Sequence, residues 1–347
     1  MTLDVALLSP AYWPEVRRGG ERLAHDLGAG LAARGHGIRL LTSHPGRTTR
    51  TTEDGIEVVR HRRPPDTRLT RRGYEDHLTH VPLTYLELRR RPADVAHALH
   101  HADAQAAIRT GRPTVWTFLG VPHRKGLANR RLRLHLVRRA AAGSDATLAL
   151  SEAAARAFRH WLGIDPQVIH PGVDLAAFTP GGARAEELTV LCPAALGAPF
   201  KRPALLAAAF RALRAERPTA RLVVQRGGPL DAEPGVEPRD LDAQGALLTA
   251  YREAHVTALA SEGEAFGLVL AESLACGTPA VASDDASGPE VIGDAGATFS
   301  GDDPQALAHA ILDAATVDPR ICREQAERFS LDRCVEAHER LYRSVLN

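Results

Sequence analysis

The chain has 347 residues, 44% of them hydrophobic and 24% charged, and this length predicts two globular domains rather than one. Its longest apolar stretches, 145–151 and 188–196, are far shorter than the roughly 20 residues of a membrane-spanning helix. The four cysteines lack CxxC spacing and the N-terminal segment lacks signal-peptide features. We therefore expect a cytoplasmic protein without disulfides or structural zinc.

Short apolar segments alternate with amphipathic or alanine-rich segments in the first half of the chain. The predicted strands are 4–8, 38–42, 56–60, 94–98, 114–118, 145–150 and 167–170. The predicted helices are 21–34, 76–90, 102–109, 127–142 and 151–162. This alternation is typical of parallel βαβ units with helices on both faces of a sheet.

A second alternation follows the segment 178–187, whose proline, glycines and charges predict a linker. The strands predicted after it are 188–193, 220–225, 255–260 and 279–282. The helices predicted after it are 202–216, 243–253, 267–276, 304–315, 319–328 and 331–345. The pattern predicts an α/β protein with two doubly wound, Rossmann-like domains facing across a cleft. We expect domains at 1–180 and 181–330, with the helical segment 331–347 returning to the first domain.

The net charge of +1 hides two halves of opposite charge. Residues 1–180 contain 27 basic and 17 acidic side chains, whereas the remainder contains 16 and 25. A basic half favours contact with an anionic membrane, a phosphorylated acceptor or the acidic half, and a solvated surface is the alternative. The basic segment 124–139 fits either an amphipathic helix on an anionic membrane or a core-packed helix with a charged outer face. Nucleic-acid binding is not indicated, because no aromatic residues interleave the arginines.

Two glutamates lie at a fixed spacing in the segment 261–278, SEGEAFGLVLAESLACGT. A helix beginning near Gly267 places Glu264 in the preceding loop and Glu272 one to two turns inside. A helix N-terminus that follows a glycine is suited to a diphosphate. A carboxylate accepts hydrogen bonds from paired hydroxyls, such as those of a ribose. The alternative is an amphipathic helix with surface glutamates.

This spacing, with Phe-Gly-Leu after the first glutamate, resembles the EX7E motif of the family 4 glycosyltransferases, which have the GT-B fold. The resemblance implies that Glu264 faces the donor sugar and that Glu272 holds the nucleotide ribose. It also implies that the backbone amides of Phe266, Gly267 and Leu268 lie over the diphosphate.

A glycine pair and a lysine resemble two further features of this family. Gly19 and Gly20, in the sequence GGER, resemble its opening glycine loop and are expected to approach a phosphate. Lys201 lies where the family has its phosphate-binding lysine, and a compact ammonium suits a diphosphate whose charge grows as the glycosidic bond breaks. The only other lysine, Lys125, is interpreted as a surface residue.

Two longer segments also resemble the family in chain order. The segment 168–180, VIHPGVDLAAFTP, resembles the one that leads into the second domain, and Asp174 in it is interpreted as a turn or helix cap. The segment 276–294 resembles the strand and loop after the EX7E helix. Glu290 there is interpreted as a helix-end carboxylate, with an approach to the nucleotide as the alternative.

Two positions depart from the family pattern. The family usually has an arginine about five residues before its lysine, whereas 194–196 reads Ala-Ala-Leu here, and Arg202 or Arg226 is the candidate for the second positive charge. The family often has a histidine where this chain has Leu119. The histidines that could take its place are each interpreted first as solvated or capping groups; they are His97, His100, His101 and His123.

The combined prediction is a retaining, metal-independent glycosyltransferase that uses no cofactor beyond its donor, a nucleotide diphosphate sugar of the UDP or GDP type. Retention is implied by the resemblance. The only acidic pair considered for a metal, Asp284 with Asp285, lacks DxD spacing. The acceptor is a hydroxyl of a lipid, glycan or small natural product, with peripheral membrane contact as an option. Alternatives are a nucleotide-sugar-binding protein without turnover, and a sugar-nucleotide epimerase or phosphorylase on the same fold.

Overall fold

The computed structural model describes most of the chain. The described ranges are 2–13, 15–16, 18–63, 76–123, 127, 131–243 and 245–347. The chain divides into two compact units: unit 1 is Met1–Gly172 with Leu331–Asn347, and unit 2 is Val173–Ser330. None of the helices in the described ranges has the length and apolarity needed to cross a lipid bilayer.

Unit 1 is built on an eight-stranded sheet in the order β3-β4-β2-β1-β5-β6-β7-β8, in which only β3 runs antiparallel to its neighbour. Its strands are β1 Asp4–Leu8, β2 Gly37–His44, β3 Thr49–Glu53, β4 Ile56–Arg62, β5 Val95–Ala98, β6 Thr114–Phe118, β7 Ala146–Ala149 and β8 Gln167–Val168. Its helices are α1 Gly19–Ala33, α2 Val81–Arg90, α3 His101–Ala107, α4 Arg131–Gly143, α5 Glu152–Leu162 and α12 Leu331–Leu346.

Strand β1 shows why this sheet is covered on both faces. Val5 and Leu7 pack into one apolar cluster with side chains of α1 and α12. Ala6 and Leu8 pack into a second cluster with side chains of α3, α4 and α5. Successive side chains of a strand point to opposite faces, so an uninterrupted apolar strand requires helices on both sides.

Unit 2 is built on a six-stranded, fully parallel sheet in the order β11-β10-β9-β12-β13-β14. Its strands are β9 Thr189–Cys192, β10 Arg221–Gln225, β11 Val236–Arg239, β12 Val256–Leu259, β13 Ala280–Ser283 and β14 Gly296–Phe299. Its helices are α6 Pro203–Glu216, α7 Ala246–Glu253, α8 Leu268–Ala275, α9 Gly288–Ile292, α10 Pro304–Ala314 and α11 Pro319–Glu327. The chain order reverses between β9 and β12, as in a doubly wound sheet. The predicted α/β class with two Rossmann-like sheets is confirmed.

Three strands, β3, β11 and β14, were not predicted from the sequence. Strand β3 reads Thr-Arg-Thr-Thr-Glu and is almost wholly exposed, so it carries no apolar period. It pairs with β4 through a tight turn at Asp54 and Gly55, whose φ angles are 47° and 79°. A polar edge hairpin of this kind is specified by its turn rather than by burial.

The predicted linker 178–187 lies within unit 2, so the expected boundary after residue 180 differs from the observed one. The Arg252 side chain donates to the carbonyl oxygen of Thr179 at 2.8 Å. Arg323 donates to the carbonyl oxygen of Phe178 at 2.7 Å. These bonds fix a segment whose composition alone is typical of a free connection.

Candidate functional site

Two charged side chains meet where the strand order of unit 2 reverses. Lys201 ends a 3-10 turn, Pro199–Lys201, that follows β9, and Glu264 lies in the loop that follows β12. The Lys201 Nζ donates to Glu264 Oε2 at 2.8 Å, and the side chains are 18% and 25% exposed. Ligands of doubly wound sheets bind at this switch point, beyond the carboxyl ends of the strands. The structure therefore brings two predicted site residues together at the expected edge of the sheet.

The loop that carries Glu264 is held by the segment after β13. Ser287 Oγ donates to the carbonyl oxygens of Glu264 and Phe266, at 2.7 and 3.0 Å. The backbone N–H of Gly263 donates to the Asp285 carboxylate, with N···O distances of 3.2 and 3.3 Å. Burial raises the pKa of the Asp285 carboxyl above its usual range. Sequence reasoning considered Asp285 only as half of a metal pair and did not identify Ser287.

Helix α8 begins directly after this loop. Its N-cap, Gly267, has a φ of 85°, a left-handed conformation that favours glycine. The Phe266 side chain is 2% exposed and packs edge-on against Phe329, with ring centroids 5.2 Å apart. The first amides of a helix have no partner within it and carry partial positive charge. This helix start, from Gly267 to Leu268, is chemically suited to an anion.

Glu272 lies inside α8 and is only 1% exposed. Its Oε2 accepts a hydrogen bond of 2.8 Å from the hydroxyl of Tyr251, a fully buried residue of α7. A ribose hydroxyl can share this carboxylate, because each carboxylate oxygen accepts more than one hydrogen bond. The sequence motif identified Glu272 but not Tyr251, which lies on a different helix.

Arg202 has a different environment from its neighbour Lys201. Its backbone adopts a left-handed conformation with a φ of 48°, which is unusual for a residue other than glycine. Its guanidinium donates to the carbonyl oxygens of Ala260 and Gly301 and to the carboxylate of Asp302. The Arg202 side chain thus ties two loops together, and no contact tests its predicted role in donor binding. Arg226, the other candidate for a second cation, is exposed.

In unit 1, the predicted glycine pair forms the start of α1. A side chain at Gly20 would place its Cβ 2.7 Å from Leu119 Cδ1, so a larger residue there would require the Leu119 side chain to shift. The glycine pair and the position where the family often has histidine are therefore neighbours within unit 1. That Gly19 and Gly20 approach a phosphate stays a prediction.

Of the histidines considered as substitutes for the family histidine, His97 and His100 occupy structural environments, His101 is buried at the start of α3, and His123 is exposed. His97 is fully buried, and its ring nitrogens pair with the hydroxyls of Tyr342 at 2.6 Å and Thr117 at 2.7 Å. Burial holds the pKa of His97 well below its usual range, so the imidazole is neutral. His100 caps α3 by accepting from the backbone N–H of Ala102 at 3.2 Å.

Three remaining residues from the sequence analysis also have defined positions. Asp174 Oδ1 accepts from the backbone N–H groups of Ala176 at 2.8 Å and Ala177 at 3.1 Å, which confirms its interpretation as a turn cap. Glu290 lies in the first turn of α9. Lys125 lies outside the described residues.

Solved structures share this arrangement of two doubly wound sheets. Sucrose-phosphate synthase from Thermosynechococcus elongatus aligns with a TM-score of 0.79 at 20% identity, covering 99% of this chain and 98% of that one. The HepE protein of Anabaena, solved in complex with UDP-glucose, aligns with a TM-score of 0.76 at 17% identity, covering 99% and 100%. The fold is therefore that of the GT-B glycosyltransferases.

Sequence comparison identifies the family. Residues 17–177 match the model of Glycosyltransferase Family 4, and residues 187–316 match that of Glycosyl transferases group 1. The D-inositol 3-phosphate glycosyltransferase of Saccharomonospora viridis is 34% identical over a 216-residue alignment that covers 52% of this chain and 50% of that protein. The chain belongs to the family 4 glycosyltransferases. Its match spans about half the length of these curated relatives.

Proposed function

We propose that the protein is a retaining glycosyltransferase that moves a sugar from a UDP-type nucleotide sugar to a hydroxyl of an acceptor, without a metal ion. The observation that carries the proposal is the Lys201–Glu264 pair at the switch point of unit 2, beside the start of α8. A cation, a carboxylate and a helix N-terminus together supply what a diphosphate and a sugar require.

The ion pair suggests how these side chains work in the reaction. The diphosphate of the donor competes with Glu264 for the Lys201 ammonium, since both are anions. Once released, the Glu264 carboxylate accepts hydrogen bonds from sugar hydroxyls and positions the ring. Lys201 then stabilises the negative charge that grows on the departing phosphate as the glycosidic bond breaks. The acceptor hydroxyl attacks from the same face, and the leaving phosphate takes its proton, which retains the anomeric configuration.

The choice of uridine is supported by a structural neighbour, because Anabaena HepE was solved with UDP-glucose. Glu272 is the proposed ribose ligand, and Tyr251 orients its carboxylate. The helix start at Gly267 and the Lys201 ammonium take the role that a divalent cation has in other transferases.

The acceptor class and any membrane contact belong to the same proposal. Helix α4 carries an exposed Leu132, 42% accessible, among arginines of the basic segment 124–139. This pattern supports a peripheral contact with an anionic membrane, and residues 124–126 and 128–130 of the segment lie outside the described ranges. The acceptor hydroxyl is proposed to belong to a lipid, a glycan or a small natural product.

A second candidate function is nucleotide-sugar binding without turnover. The observation that favours it is the region where the family has its arginine, since Ala194 is 9% and Leu196 4% exposed and neither carries a charge. Because the Arg202 guanidinium is already bonded to loop carbonyls, no second cation is assigned to the donor phosphates beside Lys201. The two functions differ in turnover and not in nucleotide affinity.

Calorimetric titration tests the donor site. UDP, GDP and ADP are titrated in excess EDTA into the wild type, Glu272→Ala and a control, Glu262→Ala. The control changes an exposed glutamate of the loop that precedes α8. We expect UDP to bind the wild type and Glu262→Ala about equally, and to bind Glu272→Ala at least about tenfold more weakly, as expected for a lost charged hydrogen bond. Equal affinity for all three proteins would remove Glu272 from the site.

A further inference from the structure

Unit 1 contains a cavity that is lined by none of the candidate site residues discussed so far. Its volume is about 290 Å³, and it lies beyond the carboxyl ends of β1 and β2. Its walls include Tyr12, Trp13, Thr42, Pro45 and Arg60. The volume is near the lower limit for small-molecule pockets, which suits a single ring.

Two hydroxyl groups in the cavity wall are buried without a partner. Tyr12 is 2% exposed and Thr42 is 1% exposed, and neither side-chain oxygen has a hydrogen-bond partner among the described residues. Leaving a buried polar group without a hydrogen bond is unfavourable, so such groups are uncommon in folded proteins. Burial also raises the pKa of Tyr12, which keeps its hydroxyl protonated and able to donate. A polar ligand that reaches these oxygens from the cavity would satisfy both groups.

The charged residues of the cavity wall are already paired. The Arg60 guanidinium donates to both carboxylate oxygens of Glu53, at 2.7 and 2.9 Å, and to the Trp13 carbonyl at 2.8 Å. The Glu15 carboxylate accepts from Arg63 at 2.6 Å. Because these ion pairs are internally neutral, these residues offer no uncompensated charge to an ionic ligand.

The rest of the wall is formed by Trp13 and Pro45 together with Ser43 and His44, whose side chains are bonded to the backbone carbonyls of Pro10 and Arg47. The Trp13 ring is stacked on His25, with centroids 4.4 Å apart and an interplanar angle of 23°. His25 is fixed in turn by Asp26 at 3.0 Å and Asp54 at 2.9 Å. Together with Trp13, Pro45 and Tyr12 form the aromatic and apolar part of the wall. Held in one orientation, such a wall packs well against the flat C–H face of a ring.

We propose that this cavity binds one uncharged, hydroxyl-bearing ring, held by the Tyr12 and Thr42 hydroxyls against the aromatic wall. This inference rests on the function proposed above, under which the ring belongs to the acceptor. It deepens that function by assigning a neutral acceptor ring, in contrast to the phosphorylated one named for the curated relatives.

Saturation-transfer NMR on the full chain tests the assignment with matched probes. The neutral probes are myo-inositol, methyl α-glucoside and methyl α-mannoside, and each is compared with its monophosphate. The variants are Thr42→Val and Tyr12→Phe, which remove one hydroxyl each and preserve shape. The control is Thr84→Val on α2, where the side-chain oxygen is also buried and unpartnered but does not line this cavity. UDP affinity is measured on the same samples.

We expect at least one neutral ring to bind the wild type and to bind better than its monophosphate. Thr42→Val and Tyr12→Phe should each weaken it roughly three- to tenfold, the range for one hydrogen bond, whereas Thr84→Val should not. Neither variant should lower the melting temperature, because the hydroxyls have no hydrogen-bond partner among the residues that the structure describes. The inference is overturned if no neutral ring binds, if the monophosphate binds better, or if both variants bind like the wild type. A protein that binds UDP but no ring loses only this inference, whereas failure to bind UDP contradicts the donor proposal.

Discussion

At the point where the strand order reverses, the polar side chains of the two sheets differ in exposure and charge. In unit 2, Lys201 and Glu264 form an ion pair that is 18% and 25% exposed. In unit 1, His97 on β5 has no exposed surface and is bonded to two hydroxyls within the core. A partly exposed charge can exchange its partner for a ligand, whereas a buried neutral group cannot without disrupting its surroundings. Equivalent places in two similar sheets thus hold a partly exposed ion pair, which is the proposed catalytic pair, in one and a buried neutral imidazole in the other.

The largest effect expected from this comparison is the loss of turnover when Lys201 is removed. Lys201→Ala should lower kcat for donor turnover by about 10²–10³-fold, the usual cost of losing one group that stabilises developing charge. Lys125→Ala, which changes the only other lysine, is the control and should be near wild type. The measurement is nucleotide release at saturating donor. A change below about threefold for Lys201→Ala would make the ion pair structural, like the His97 cluster.

The buried histidines of unit 1, His97 and His338, should instead make the stability of the protein depend on pH. Burial lowers the pKa of His338 to about 4 and lowers that of His97 below its usual range. The unfolded chain therefore binds protons that the folded chain does not, and stability is lost as pH falls from about 6.5 towards 4. For His338 alone the loss is about 3 kcal/mol.

Urea unfolding at several pH values measures this loss. His338→Gln should flatten the dependence between pH 6.5 and 4, whereas His309→Gln, an exposed histidine of α10, should leave it unchanged. Identical slopes for wild type and His338→Gln would show that His338 does not couple folding to protonation.

A smaller effect is expected at the start of α8. Gly267→Ala places a side chain at a φ of 85° and a Cβ 3.0 Å from Leu270 Cδ1. The expected cost is about 1–2 kcal/mol of stability, with weaker UDP binding. Gly263→Ala is the matched control, because its φ is 67° but nothing lies within 4 Å of the added Cβ. Thermal unfolding and calorimetry should show the greater loss for Gly267→Ala, and the reverse order would contradict the packing described for this cap.

How far the sequence predicts these regions depends on how local the determining contacts are. Apolar strands such as β1 and the EX7E spacing are local patterns, and they predicted the fold and singled out Glu264 and Glu272. Lys201 was predicted from its place in the family pattern. The partner of Glu272 lies 21 residues away on another helix, and that of His97 lies 245 residues away, so neither leaves a sequence signal.

The smallest predicted effect separates backbone strain from side-chain bonding at Arg202. Arg202→Ala loses the bonds to the loop carbonyls and keeps the unfavourable φ of 48°, whereas Arg202→Gly loses the bonds and relieves the strain. The glycine variant should therefore be more stable than the alanine variant by about 1 kcal/mol. Thermal unfolding of the two purified variants decides it, and equal stabilities would mean that the left-handed backbone costs little here.

Early-time proton NMR of UDP-α-sugars incubated with the protein in excess EDTA tests the central claim most directly. With water as the acceptor, the account predicts release of UDP together with the α-anomer of the free sugar, and no release by Lys201→Ala. Binding of UDP without release from any UDP-sugar would contradict transferase activity and favour the binding protein. Release of the β-anomer would contradict retention.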